Sequence, residues 1–285
     1  MQIVKISGGL GNQLFQYAYY LKLKKTCNDC YIDDVSCHED EHSRNIQLKE
    51  VGATYDVASR DDILRLTDHK RDILNWLRRR FTGSMDVIRH EGDEVTGDGY
   101  WVGYWQSAKG YDEIEDEIRA NVFGPGFKDE IVNSDLAKEI QETESVSIHI
   151  RRGDYLNPEV QTIYGGICTD EYYEAAVKYM KERHPGCRFY VFSNDPEWVK
   201  ENLKIENMTV VEGSDEEHGY RDMYLMSLCK HNILANSSFS WWGAWLNKNT
   251  EKEVIGPAIW IHRDGFDQIY EGFSVKRISP EGDMQ

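Results

Sequence analysis

Between residues 145 and 246, short apolar runs alternate with longer amphipathic stretches, and this alternation restricts the fold more than any other property of the chain. Residues 145–150 (SVSIHI), 188–192 (RFYVF), 208–211 (MTVV) and 231–235 (HNILA) read as strands. Residues 170–183, 196–202, 220–229 and 239–246 read as helices between and after them. Strands joined through helices run parallel, and a parallel sheet needs cover on both faces. The expectation is therefore an α/β unit with helices on either side of a parallel sheet.

The chain begins with one similar unit. Residues 3–6 read as a strand, Gly8, Gly9 and Gly11 as a turn, residues 13–18 as the start of a helix, and residues 30–34 as a second strand. The pattern then loosens into a charged helix over 61–80, an aromatic strand over 100–105 and a polar amphipathic helix over 129–142. Gly124-Pro125-Gly126 punctuates the chain, so a boundary is expected between residues 125 and 145, with domains of 1–140 and 141–285. Two Rossmann-like halves with a cleft between them are the architecture this implies.

Composition excludes several classes of function. Eight Trp and seventeen Tyr are incompatible with long disorder, and 50 acidic against 33 basic residues repel a nucleic-acid backbone. A phosphorylated ligand then requires a local concentration of Arg, Lys or helix N-termini. No run approaches the roughly 18 apolar residues of a membrane span, and the N-terminus enters a strand directly, so a cytoplasmic protein is expected. Cys27, Cys30 and Cys37-His38 have no second ligand pair in sequence to complete a zinc site, and no metal is expected there.

The densest polar signal is HIRRGDY, residues 149–155, at the carboxyl end of a strand. Open parallel sheets bind ligands at that edge, and a guanidinium offers a fixed fork of donors matched to phosphate oxygens. His149 and Arg151 share a face of an extended segment, whereas Arg152 faces the other way, toward Asp154. Arg151 reads as ligand-binding and Arg152 as structural, the competing reading being an Arg-Asp brace for both. At Ser237-Ser238-Phe239, small hydroxyl residues between a strand and a helix offer caps, backbone amides and a positive dipole end, an anion site unless capping is their whole role. Trp241, Trp242 and Trp245 read as packing. Asn194 and Asp195 at another strand end, and Asp222 at a helix start, are further donor-binding candidates, since an Asp accepts from guanine N1 and N2 or from ribose hydroxyls. Helix capping explains the same residues equally well. No two aspartates are separated by a single residue, so an Asp-x-Asp metal clamp is missing.

The strings GGLGNQLFQYA, HIRRGDY, VFSND and DMYLMSLCKHNILANSSFSWWGAWL occur in this order between residues 8 and 246. Together they resemble the α-1,2-fucosyltransferases of glycosyltransferase family 11, the pairing of HIRRGDY with NSSFSWWGAWL being the specific part. The resemblance implies an α/β, GT-B-like fold of two facing Rossmann-like domains with a central cleft. GDP-fucose is then the donor, held mainly by the C-terminal domain, and no metal or other cofactor is required. It implies that Arg151 grips the β-phosphate, that His149 lies near the nucleoside and that Asp222 reads guanine. Ser237, Ser238 and Phe239 match the phosphate-binding turn, and Asn12 the polar residue presented to fucose and acceptor by an N-terminal, acceptor-side domain.

The activity so implied is inverting transfer of L-fucose to O2 of a terminal galactose on an oligosaccharide or lipid-linked glycan, in the manner of bacterial enzymes of surface polysaccharide. Nucleic acid is not expected as a partner, and any membrane contact is peripheral, at the inner face. Asp154 is the nearest candidate for the general base and Glu159 a second. Two other functions compete. An NAD(P)-dependent oxidoreductase would use the N-terminal glycine turn, with Asp33 or Asp34 on the ribose, but the turn lacks a third glycine. A non-catalytic nucleotide- or glycan-binding module would use the same residues without turnover.

Overall fold

The computed structural model describes residues 1–36, 44–67, 77, 87–212, 215, 217–263 and 267–285, and the side chains of Asp154, Leu156 and Asp267 lie outside the description. The chain divides into two compact units, Met1–Gln106 with Tyr111–Pro125, and Ser107–Gly110 with Gly126–Gln285. Residues 126–140 thus belong to the second unit, not the first. The reason is packing: Ala137 and Ile140 are buried against Tyr190, Phe192, Leu225 and Met226.

The first unit is built from β1 (Gln2–Lys5), α1 (Leu10–Thr26), β2 (Cys30–Asp33), α2 (Arg60–Leu66), β3 (Ile88–His90), β4 (Gly99–Val102) and α3 (Glu115–Asn121). Its sheet has four strands in the order β2-β1-β4-β3, all parallel, with Ile3 opposite both Tyr31 and Tyr100. Helix α1 begins at Leu10, earlier than the sequence implies, because the turn closes quickly: Gly8 sits at φ 76° and Gly9 is the cap. Gly9 has no side chain to cap with. Two buried glutamines stitch the turn instead. Gln13 Nε2 donates to the Gly8 carbonyl at 2.8 Å and its Oε1 accepts from Gln47 N–H at 2.8 Å. Gln16 Oε1 accepts from Ser7 N–H at 2.9 Å, and its Nε2 donates to the Gly103 carbonyl at 2.9 Å. Lys24 and Lys25 in the last turn complement the helix dipole.

Two further elements differ from expectation. The aromatic strand ends at Val102, because Trp105 adopts φ 49° and leaves the sheet direction. Residues 129–142 form two helices, α4 (Asp129–Val132) and α5 (Asp135–Glu142), because Ser134 Oγ accepts from Ala137 N–H and starts a new helix. The first part of the 61–80 helix is α2; most of the remainder, like Cys37, lies outside the described residues.

The second unit continues with β5 (Ser145–Ile150), a 3-10 turn (Gly153–Leu156), α6 (Pro158–Tyr164), α7 (Asp170–Arg183), β6 (Arg188–Ser193), α8 (Pro196–Asn202) and β7 (Met208–Val210). After these come α9 (Gly219–Leu228), β8 (His231–Ile233), α10 (Ser238–Leu246), β9 (Val254–Pro257) and β10 (Lys276–Ile278). Its sheet has six strands in the order β10-β9-β8-β5-β6-β7, all parallel. Alternation along β5 and β6 assigns the two faces. Val146, Ile148, Ile150, Phe189 and Val191 pack on α7 and α8, whereas Tyr190 and Phe192 pack on α5 and α9. Full burial of one such aliphatic or aromatic side chain is worth about 1.5–3 kcal/mol, so this doubly covered sheet is where the unit's stability concentrates. From β5 the chain winds outward through β6 and β7, and then returns to β8 on the other side of β5. Strand order therefore reverses between β5 and β8. No helix among the described residues is long and apolar enough to cross a membrane.

Candidate active site

In an open parallel sheet, ligands bind outside the carboxyl ends of the strands where the winding reverses, because the loops leaving the two adjacent strands diverge there. In the second unit those loops carry Arg151-Arg152-Gly153 after β5 and Asn236-Ser237 after β8. They are tied together: Tyr155 Oη donates to the Asn236 carbonyl at 2.9 Å, and Asn236 Nδ2 donates to the Tyr164 carbonyl at 3.1 Å. The Tyr155 and Tyr164 rings stack at 5.0 Å. Arg151 holds its guanidinium 5.7 Å from the centre of the Tyr155 ring, at a pocket of about 280 Å³ that Arg152, Trp198 and Asn236 also line.

Arg152 is anchored away from Arg151. Its Nε meets Asp195 Oδ2 at 3.3 Å, its guanidinium lies 3.7 Å over the Trp198 ring, and its backbone N–H donates to Asn194 Oδ1 at 2.9 Å. Asp195 is a partner the sequence does not suggest, and the side chain of the expected partner, Asp154, lies outside the description. Asp195 also caps α8, accepting from Trp198 N–H at 3.2 Å. Gly153 sits against the Asn194 side chain, where a Cβ would collide with the amide nitrogen. Asn194 and Asp195 therefore brace the loop that carries Arg151. Trp198, the flat surface under Arg152, has a signal in the sequence only in retrospect, as the residue three past an Asp-Pro helix start.

His149 is 4% exposed and lies on the sheet face opposite Ile148 and Ile150, its ring 5.5 Å from that of Phe239. Its carbonyl is held by Tyr173 Oη at 2.8 Å, but its Nδ1 is buried with no hydrogen-bond partner. Burial, reinforced by the charge of Arg151, pushes its pKa down to about 3. The ring is neutral near pH 7 and too weak a base to take a proton from an acceptor; it is a hydrogen-bonding group awaiting a partner.

Helix α10 starts beside it. Ser237 is the cap, its Oγ accepting from Phe239 N–H at 3.4 Å, and Ser238 and Phe239 are partly exposed in the first turn. Trp241, Trp242 and Trp245 are buried, as packing requires, with Trp241 Nε1 donating to the Ile269 carbonyl at 2.9 Å. Gly243 allows α10 to lie close on α9, since a Cβ there would stand 2.9 Å from Met226 Cβ. Asp222 lies within the first turn of α9, partly exposed, and is not its cap. The donor-site residues expected from the sequence are thus brought to one edge of the larger sheet, with Asn194 and Asp195 behind it. Asn12 is on the corresponding edge of the first unit, in the first turn of α1. Glu159 is exposed in the first turn of α6. The Asp154 side chain lies outside the description.

The opposite edge of the larger sheet is also rich in titratable groups, but they satisfy one another. His231 Nδ1 accepts from Glu253 N–H at 3.0 Å, so its Nε2 carries the proton and donates to Glu144 Oε1 at 3.0 Å. His184 has Glu144 Oε1 at 3.2 Å from Nδ1 and Glu253 Oε2 at 2.9 Å from Nε2. Glu144, His184 and His231 are close enough together to resemble a metal site. A metal-ligating imidazole donates through its second nitrogen, whereas His231 accepts there, so the arrangement is a hydrogen-bond cluster.

Two α/β units, each with a parallel sheet, match the GT-B fold of glycosyltransferases. Fucosyltransferase NodZ from Bradyrhizobium shares the fold at a TM-score of 0.51 and 14% identity, over 85% of this chain and 91% of that one. The chain belongs to glycosyl transferase family 11, whose model matches residues 1–260. An α-1,2-colitosyltransferase from Escherichia coli is 32% identical over 92% of this chain and 93% of its own length. A galactoside α-(1,2)-fucosyltransferase 1 from Ateles belzebuth is 34% identical over 35% of this chain and 28% of its own length. The oxidoreductase and the non-catalytic module are set aside by this membership.

Proposed function

We propose that the protein is an inverting, metal-independent α-1,2-fucosyltransferase that moves L-fucose from GDP-fucose to O2 of a terminal galactose. The second unit binds the donor and the first contacts the acceptor. The observation that carries the reading is the unpartnered Nδ1 of buried His149, whose ring lies 5.5 Å from that of Phe239 in the first turn of α10 and feels the charge of Arg151. Arg151, the start of α10 and His149 offer a fork of donors, a positive dipole end and a neutral hydrogen-bonding ring, the complement of a nucleoside diphosphate.

In the transfer, the galactose O2 attacks fucose C1 from the face opposite GDP. The C1–O bond to the β-phosphate breaks, and the hydroxyl proton leaves to a base. Negative charge grows on the departing diphosphate and positive charge on an oxocarbenium-like sugar. Arg151 and the α10 amides stabilise the departing charge, so they lower the barrier more than they tighten the ground state. His149 contacts the nucleoside side of the donor, and Asp222 on α9 accepts from guanine. Asn194 and Asp195 act through Arg152 by fixing the loop.

The similarity to an α-1,2-colitosyltransferase favours a second reading in which the donor sugar is colitose and the α-1,2 linkage is kept. Incubation with a galactoside, EDTA and either GDP-fucose or a colitosyl donor, followed by NMR assignment of the new linkage, tests both. An α-1,2-fucosylated product is expected. Transfer only from the colitosyl donor replaces the donor, and a different linkage or an absolute need for metal overturns the reading.

A further inference from the structure

The carboxyl edge of the smaller sheet has its own reversal, between β1 and β4, and the loops leaving those strands meet there. After β4 the chain runs Gly103-Tyr104-Trp105-Gln106. Trp105 holds φ 49°, a left-handed conformation that is strained for a bulky residue. The conformation is held from several sides. The Trp105 ring stacks on Tyr19 with centroids 4.0 Å apart and planes 3° apart, and the Trp105 backbone N–H donates to Glu91 Oε2 at 3.2 Å. Gly103 leaves room for it, since a Cβ there would touch the indole at 3.2 Å.

The bend re-aims the next residue. Gln106 Nε2 donates to Asn12 Oδ1 at 2.8 Å, across from β4 to the first turn of α1. That bond orients the Asn12 carboxamide by its oxygen and leaves the NH2 group to donate. Tyr104 leaves its ring 43% exposed on the same segment, an apolar surface with a hydroxyl at its tip. An oriented amide donor and, on the segment that orients it, a partly exposed aromatic ring are the chemistry that recognises a pyranose, whose one face is C–H-rich and whose rim is hydroxyl.

We propose that Asn12, Gln106 and Tyr104 form the acceptor-sugar subsite, with Gln106 a positioning residue that fixes the Asn12 carboxamide as a hydrogen-bond donor to the acceptor. The assignment rests on the transferase reading above. It makes the strain at Trp105 functional: the bend delivers Gln106 to Asn12.

The test is steady-state kinetics of Gln106→Ala, Gln106→Glu and Asn12→Asp with GDP-fucose and a β-galactoside, with GDP affinity and thermal unfolding measured alongside. Gln106→Glu offers only acceptors, so it turns the Asn12 amide around. Asn12→Asp keeps the bond from Gln106 but removes the donor. Each variant is expected to raise the acceptor KM about tenfold, the scale of one oriented hydrogen bond, with the KM for GDP-fucose and the affinity for GDP unchanged. Gln106→Asn, which restores the chemistry one methylene short, recovers part of the loss. An acceptor KM within about twofold of wild type for both Gln106→Ala and Gln106→Glu overturns the proposal, as does a loss confined to GDP affinity. If the wild type itself does not transfer fucose, the transferase reading fails separately. Saturation-transfer NMR of the galactoside on GDP-loaded protein then decides the subsite: signal lost in Gln106→Ala supports it, and unchanged signal overturns it.

Discussion

His149, near the carboxyl end of β5, and His231, at the amino end of β8, are both buried in the same sheet, and they differ in what meets them. Every ring nitrogen of His231 is spoken for, by Glu253 N–H and by Glu144. His149 keeps an unpartnered Nδ1 beside an arginine. A buried polar atom without a partner costs about 1–3 kcal/mol, and the proposed donor would supply the partner that His149 lacks. The polar cluster at one edge is internal bracing, and on the proposed function the polar residues at the other edge face the donor.

The largest expected effect that sharpens this contrast is on turnover. Arg151→Lys keeps the charge and loses the fork, and is expected to lower kcat at least about tenfold, roughly 1.4 kcal/mol in the barrier. Near-normal kcat removes Arg151 from the leaving group. A double dissociation comes next. His231→Phe strands Glu253 N–H and takes one donor from Glu144, and is expected to lower stability by about 1–3 kcal/mol in chemical denaturation while leaving GDP affinity unchanged. His149→Phe removes no hydrogen bond made by the ring within the protein, so stability is kept and GDP affinity falls about fivefold to tenfold.

The smallest effect is on pH dependence. Burial, and then the neighbouring His184, hold the His231 pKa below the ordinary histidine value, with the bond to Glu144 acting the other way. For Glu144 and Glu253 burial acts upward, but hydrogen bonds outweigh it, from His231 and Lys230 to the first and from His184 and Arg183 to the second. Both carboxyl pKa values are therefore lowered. All these shifts act with one sign. His231 takes up its proton later in the folded state, so stability begins to fall below about pH 6.5, the unfolded histidine value. The carboxylates contribute above their unfolded value of about 4.3, and that contribution is lost as pH falls through their lower folded values. Denaturation midpoints measured from neutral to acid pH should decline throughout, and less steeply in Glu253→Gln.

Much of this was legible in the sequence, for identifiable reasons. In the larger sheet short apolar-bearing runs alternate regularly with helices, so β5, β6 and β8 announce themselves, and with them the Arg151 and Ser237 loops. The first unit hides more. β3 is three residues long, and the turn into α1 is held by Gln13 and Gln16, polar residues whose burial only tertiary contacts reveal. The sequence also gives no sign of Asp195 as a partner of Arg152, because adjacency in the chain is visible and a residue just past the end of the neighbouring strand is not. Likewise the bond from Gln106 to Asn12 crosses most of the first unit's sequence, and it needs both the pairing of β1 with β4 and the bend at Trp105.

The central claim is that the edge carrying His149 is the donor site and the edge carrying His231 is not. Calorimetric titration of GDP, with EDTA present, into His149→Phe and His231→Phe side by side with wild type tests it most directly. The account predicts weakened binding in His149→Phe and wild-type binding in His231→Phe. Unchanged affinity in His149→Phe with a loss in His231→Phe contradicts it.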